Sequence, residues 1–353
     1  STENYQMTIE GAGTIAFPNG TTWTAQTSGI SGYDLYGVTY VNGTFVAVGS
    51  DGTIITSTDG ETWTPQTSGI SSSLWGVNYG NGTFVAVGSD GTIITSTDGE
   101  TWTPQTSGIS SNLKTVTYVN GTFVAVGSQG TIITSTDGET WTTQTSGISK
   151  NLFGVTYVNG TFVVVGQQGT IITSTDGETW TPQTSGISSN LSDNLFGANY
   201  GNGTFVAVGN QGTIITSTDG ETWTPQTSGI SSSLWGVNYG NGTFVAVGSD
   251  GTIITSTDGE TWTPQTSGIS SNHLKKVNYG NGTFVVVGLS GTIITSEGAS
   301  GIVVNNAAGL LKLNGTGTVQ AARVTAASNT GKGLAVNASS TISNLKVAAD
   351  TEL

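Results

Sequence analysis

The stretch Gly52-Thr53-Ile54-Ile55-Thr56-Ser57-Thr58-Asp59-Gly60-Glu61-Thr62-Trp63 recurs almost letter for letter, with its tryptophan at Trp63, Trp102, Trp141, Trp180, Trp223 and Trp262. A period this regular is an architecture before it is a site, because one short unit cannot bury its apolar face alone and has to stack on its neighbours. The Gly that opens Gly-Thr-Phe-Val marks the units at Gly43, Gly82, Gly121, Gly160, Gly203, Gly242 and Gly282, spaced 39, 39, 39, 43, 39 and 40 residues apart. Seven units of this length have the size of four-stranded propeller blades.

Each unit carries four strand signals, A to D, shown in the second unit by 74–79, 83–87, 92–95 and 101–106. Asn81-Gly82 joins A to B and Asp98-Gly99 joins C to D; both dipeptides favour tight hairpins because they tolerate positive φ. Phe84-Val85-Ala86-Val87 has no polar alternation, so strand B is expected to be buried on both faces between stacked blades. The seventh unit stops at Thr295-Ser296-Glu297-Gly298 without a strand D, and a worn copy of the motif, from Gly13 to Trp23 and Thr24, is expected to supply it. Closing the ring in this way removes two sheet edges.

The fold expected is therefore all-β: a seven-bladed β-propeller of four-stranded blades over 13–298, closed by the N-terminal strand, with a small β-rich C-terminal region over 299–353 that attaches or oligomerises. Residues 1–12 do not match the repeat and are expected to join the attachment region. In the tail, 310–313, 318–324, 334–336 and 342–347 alternate at period two between Gly- or Asn-containing turns. About 50 residues of short strands make a small core, so the tail is expected to complete it with 5–9, with further copies of the chain, or with a parent assembly.

Composition narrows the partners. With 22 acids against 8 bases the net charge is −14, and only Lys114, Lys150, Lys275 and Lys276 precede residue 300, so nucleic acid and anionic membranes are excluded as partners. No Cys is present, which removes disulfides, thiolate metal sites and a Cys nucleophile; no metal or other cofactor is expected. There is no long apolar run for membrane insertion and no retained signal peptide. A start at Ser1 fits cytoplasmic synthesis with loss of the initiator Met, and a cleaved signal peptide would look the same.

The Ser-x-Asp-Gly-x-Thr-Trp of Ser57 to Trp63 and its equivalents resembles the Asp-box of sialidase-like propellers, with a spacing similar to the short form of the Ycf48-like photosystem II assembly factors. The resemblance spans roughly 13–298 and implies architecture rather than activity, since Asp-box propellers include hydrolases, lectins, assembly factors and adhesins. A sialidase-like activity would need an arginine cluster, and Arg323, outside the propeller, is the one arginine. A glycoside hydrolase would need two flanking carboxylates, and the acids outside the Asp-boxes, Asp34, Asp51, Asp90, Asp193 and Asp250, form no visible pair. His273 is the one histidine and is expected in a loop. The Asp-box acids Asp59, Asp98, Asp137, Asp176, Asp219 and Asp258 are expected to be structural, each accepting hydrogen bonds from nearby backbone amides beside its Trp. The Asn-Gly-Thr strings are formally glycosylation acceptors, but hairpin turns explain them.

Residues 52–112 and 212–272 are identical, so the positions at which the units differ stand out. One set is the B–C turn, with Asp51, Asp90, Gln129, Gln168, Gln211, Asp250 and Ser290. The other is the D–A connection and the start of strand A, where the residue after the repeating Leu is Tyr36, Trp75, Lys114, Phe153, Phe196, Trp235 or Lys275. Antiparallel strands place both sets on one rim, where exposed aromatics beside amides and carboxylates would suit a glycan or a protein receptor; the same aromatics could instead plug the channel mouth. The function expected is non-enzymatic display or adhesion, as in a protein similar to the appendages of virions and other microbial surface assemblies. The alternatives are a soluble assembly factor acting on a protein complex and, last, a glycoside hydrolase.

Overall fold

A computed structural model describes residues 22–187 and 193–296 in full, and the backbone of five further strands at Gln6–Glu10, Thr14–Ala16, Gly301–Asn305, Leu310–Asn314 and Arg323–Ala326. The chain divides into two compact units, 19–297 and the pairing of 1–18 with 298–353.

The larger unit is a seven-bladed β-propeller. Each blade is a four-stranded antiparallel sheet in the order A-B-C-D, as in Leu74–Gly80, Thr83–Gly88, Ile93–Ser96 and Thr103–Gln105 of the second blade. The last blade borrows its strand D: Trp23–Gln26 pairs antiparallel with strand C at Ile293–Ser296, with Trp23 opposite Ser296. Every strand A lies against the strand A of the next blade, the seventh against the first, so the seven A strands surround the axis.

Strand B is buried on both faces because two different cores need it. Val46 and Val48 of blade 1 pack with Leu74, Val77, Phe84, Ala86, Ile94 and Trp102 of blade 2, while Phe45 and Ala47 face the core shared with blade 7. Each fully buried Val, Ile, Leu or Phe contributes roughly 1.5–3 kcal/mol, and the pattern repeats at all seven junctions, with Trp23 completing the core between blades 6 and 7.

The two hairpins of a blade use different chemistry. In the A–B turn, Asn81 (φ 49°) and Gly82 (φ 81°) are both left-handed, the requirement of a type I′ turn. In the C–D turn only the Gly is left-handed, at Gly60 with φ 80°; Asp59 keeps ordinary dihedrals and its Oδ1 accepts the N–H groups of Glu61 and Thr62, each at 2.8 Å. The neighbouring Trp63 donates Nε1–H to the Gly60 carbonyl at 2.9 Å.

In the smaller unit, Gln6–Glu10 pairs antiparallel with Leu310–Asn314. Thr14–Ala16 pairs antiparallel with Gly301–Asn305, which runs parallel to Arg323–Ala326. Thr14–Ala16 therefore lies outside the ring, although its sequence reads as a worn strand C; that place is filled by Ile293–Ser296. The strand signals at 334–336 and 342–347, residues 318–322 of that at 318–324, and residues 189–192 of the longer D–A connection at 189–194 lie outside the described residues.

Candidate functional site

The two variable sets meet on one face, tied by hydrogen bonds. Ser50 N–H in the B–C turn of blade 1 donates to the carbonyl of Asp34 in the preceding D–A connection at 2.9 Å, and Asp34 N–H donates back to Ser50 Oγ at 2.9 Å. The A–B turns and Asp-box hairpins meet on the opposite face, where Asn81 Nδ2 donates to the carbonyl of Thr136 in the next blade at 3.4 Å.

Each B–C turn is a tight 3₁₀ turn whose middle residue is left-handed although it is not Gly: Asp51, Asp90, Gln129, Gln168, Gln211, Asp250 and Ser290 have φ between 52° and 57°. This backbone costs an L-residue about 1–2 kcal/mol and in six of the seven turns, all but that of Asp51, is offset by a cap from the next blade. The N–H of Asp90 donates to Asn112 Oδ1 at 2.9 Å, that of Gln129 to Asn151 Oδ1 at 2.9 Å, that of Gln168 to Asn194 Oδ1 at 3.1 Å and that of Ser290 to Asp34 Oδ1 at 2.8 Å. Gln211 uses Ser233 Oγ at 3.4 Å, and Asp250 uses His273 Nδ1 at 3.3 Å. The variable residue before six of the seven A strands, Ser73 being the exception, is thus a latch between blades. His273 is one of these latches, 3.9 Å from Asp250 Oδ1, and its insertion explains the 40-residue spacing: it takes the capping place while Asn272 turns to Thr292 Oγ1 at 2.9 Å. Sequence reading missed this role, although Asp, Asn, Ser and His all share an acceptor atom.

The residue after the repeating Leu is the extra residue of a β-bulge, since in every blade the A–B register shifts at that position, as between Leu113 and Thr115. Bulges re-aim side chains, and here they turn successive residues onto one another. Lys114 Nζ lies 3.3 Å from the Trp75 ring centroid and Lys275 Nζ 4.0 Å from that of Trp235. Phe153 stacks on Phe196 with centroids 5.3 Å apart, and Phe196 on Trp235 at 4.4 Å. Trp235 Nε1–H donates to Ser249 Oγ at 3.1 Å, which holds the ring at rim level. Tyr36 donates to Asp34 Oδ2 at 3.1 Å; burial, with the charge of Asp34, pushes its hydroxyl up to about 12.

The rim aromatics are consequently half-buried rather than exposed as expected. Among the described residues Tyr33, 42 % exposed on the D–A connection of blade 1, is the exposed large hydrophobic. The polar B–C residues do reach solvent, with Gln168 more enclosed than the others. Between a B–C turn and the D–A connection that leaves the same blade runs an open groove: in blade 2 it lies between Asp90 and Ser107–Ser111, and in blade 5 between Gln211 and Ser228–Ser232, with volumes of about 790 and 800 Å³. Their walls offer hydroxyls and backbone groups, with Asp90 and Gln105 in the first groove and Gln211 and Gln226 in the second. Among the described residues no group of three His, Asp or Glu side chains could hold a metal ion.

The Asp-box carboxylates stand apart from this face. Backbone N–H groups of Thr140 and Glu139 for Asp137, and of Thr179 and Glu178 for Asp176, hold these two down to about 2.

Residues 6–113 match the family model of the DUF6242 beta propeller domain. No curated protein matches the chain. Among solved structures, the chain is similar to YCF48 from Cyanidioschyzon merolae, with TM-score 0.62 and 16 % identity over 78 % of this chain and 98 % of that one. It is also similar to YCF48 bound to D1 peptide (TM-score 0.64, 17 % identity, 79 % and 95 % covered) and to virginiamycin B lyase from Staphylococcus aureus (0.70, 14 %, 78 % and 98 %). At these identities the likeness is one of fold.

Proposed function

We propose that this chain is a non-enzymatic binding protein whose variable rim takes a glycan of a cell-surface receptor, displayed by a virion or another microbial surface assembly to which the unit of 1–18 and 298–353 attaches. The observation that carries the reading is the clustering of solvent-facing variation on one face: the blades repeat their Asp-box hairpins and most of their cores, and differ mainly in the B–C turns and the adjoining D–A connections, while the exchange of Asn-Tyr-Gly for Thr-Tyr-Val at the end of strand A lies at the blade junctions. Loops on a rigid scaffold are where recognition evolves without cost to the core. The open groove occurs in blades 2 and 5 alike, and shallow, equivalent sites of hydroxyl and amide groups suit multivalent sugar binding better than catalysis, which needs one asymmetric, pre-organised constellation. A protein partner is the second reading, favoured by the similarity to YCF48 bound to D1 peptide.

The test is a glycan array probed with the full chain, with light scattering on source material to give the mass of the native particle. Binding to a defined glycan class and recovery in a large particle are expected. Recovery as a free monomer with an empty array would refute the display reading and favour the protein partner.

A further inference from the structure

Three of the four lysines of the ring lie on the A strands that surround the axis. Lys114 and Lys275 sit at bulge positions at the channel mouth, and Lys276 follows directly on strand A, one step deeper along the axis. All six residues equivalent to Lys276 in the other blades are small: Gly37, Gly76, Thr115, Gly154, Gly197 and Gly236. The reason is steric. A Cβ at Gly37 would lie 3.0 Å from the Trp75 carbonyl oxygen, and one at Gly76 would lie 2.8 Å from Thr115 Cα, so neighbouring A strands touch backbone to backbone here. A lysine in this position therefore stands against the backbone of the neighbouring strand A, with little lateral room.

Lys276 retains some solvent contact but is enclosed by protein, and that burial lowers its pKa from the ordinary lysine value. Among the described residues the one ion pair is His273–Asp250, and no hydrogen bond or carboxylate engages Lys276. A cation so enclosed and unpaired is costly unless a ligand meets it. Lys275, also desolvated, feels the distant charge of Asp34, and Lys114 is desolvated over Trp75.

Resting on the reading of the rim as a glycan-binding face, we infer that the mouth of the axial channel is an anion subsite, in which Lys276, with Lys275 and Lys114, takes the carboxylate of an acidic sugar while the half-buried ring of Trp75, Phe153, Phe196 and Trp235 contacts its C–H face. The net charge of −14 keeps anions away from the rest of the ring, so the selectivity resides in this constellation.

The experiment titrates the full chain with sodium glucuronate, glucose and N-acetylglutamate, followed by calorimetry and tryptophan fluorescence, since Trp75 and Trp235 lie beside the lysines. Glucuronate is expected to bind in the millimolar range or tighter, weakening as salt is raised, while glucose binds at least tenfold more weakly. Lys276→Gly restores the residue found in five other blades and should fold as the parent does, yet lose at least tenfold in glucuronate affinity; Lys150→Gln should change neither. Unchanged binding by Lys276→Gly, or no glucuronate binding by the parent, overturns the subsite. Equal binding of N-acetylglutamate overturns its assignment to a sugar. An array positive for neutral glycans alone would leave the rim reading standing while this inference fails; an empty array beside glucuronate binding would do the reverse.

Discussion

The junctions between blades come in two kinds, and exchanging one for the other tests whether packing has been read correctly. Where strand A ends in Asn-Tyr-Gly, the next blade's tyrosine lies over the glycine: a Cβ at Gly201 would fall 2.0 Å from Tyr239 Cγ, and Asn199 Oδ1 accepts the Tyr239 N–H at 3.1 Å. Where it ends in Thr-Tyr-Val, the tyrosine hydroxyl instead reaches the A–B turn asparagine, as in Asn159 Nδ2 to Tyr200 Oη at 3.4 Å and the Asn120–Tyr157 bond. Carbon atoms rest about 3.5–4.0 Å apart, so Gly201→Val forces the Tyr239 ring to retreat by at least about 1.5 Å. Gly201 has no positive φ, which leaves the cost steric, about 1–3 kcal/mol for an overpacked core. Asn199→Thr alone removes one acceptor and costs about 0.5–1.5 kcal/mol. The double substitution rebuilds the pattern of Thr156 and Val158 and should be more stable than the sum of the singles by about 0.5–2 kcal/mol. Urea unfolding with an unchanged m-value gives each term. Additivity within about 0.5 kcal/mol, or a Gly201→Val variant as stable as its parent, would refute the two-junction account.

Further outcomes follow from the same structure. Trp63→Phe should cost about 1 kcal/mol more than Trp23→Phe in thermal or urea unfolding, because Trp63 donates to Gly60 whereas Trp23 Nε1 is buried without a partner among the described residues; equal losses would show that the Asp-box bond is idle. The Asp-box carboxylates are depressed in the fold, so their stabilisation is complete above the unfolded carboxylate range near pH 4 and is lost as pH falls toward about 2. Melting temperature should therefore drop steeply between these values, and a flat profile would contradict the assignment. At Gln129, whose φ is 57°, substitution by Gly should gain about 0.5–1 kcal/mol and substitution by Val should lose about 1–2 kcal/mol; the reverse order would mean the turn is not left-handed in solution.

The ring itself was legible because seven near-copies, Asn-Gly turns and unalternated B strands all specify one geometry, and the missing strand D of the last unit called for the Trp23 segment. The place of Thr14–Ala16 was not legible: a three-residue apolar stretch reads as strand C in isolation, and only the presence of a better strand C at Ile293–Ser296 sends it elsewhere. Bulges leave no mark on composition, so the Leu-Tyr-Gly and Leu-Trp-Gly strings left open whether these aromatics are exposed or plug the channel mouth, and the structure finds them half-buried. The latch was hidden because its donor is a backbone N–H and its acceptors vary among Asp, Asn, Ser and His. The setting of Lys276 was not legible either: five of its six equivalents are glycines, and only the structure shows that they pack against a neighbouring backbone.

The central claim is that the variable rim, and not the Asp-box face, is where this protein meets its ligand. The most direct measurement compares glycan-array binding of Gln129→Arg/Gln211→Arg, on the rim, with that of Glu61→Arg/Glu139→Arg, at exposed positions of the Asp-box hairpins. The account predicts that the rim pair loses or redirects binding while the hairpin pair matches the parent; loss from the hairpin pair with the rim pair intact would contradict it.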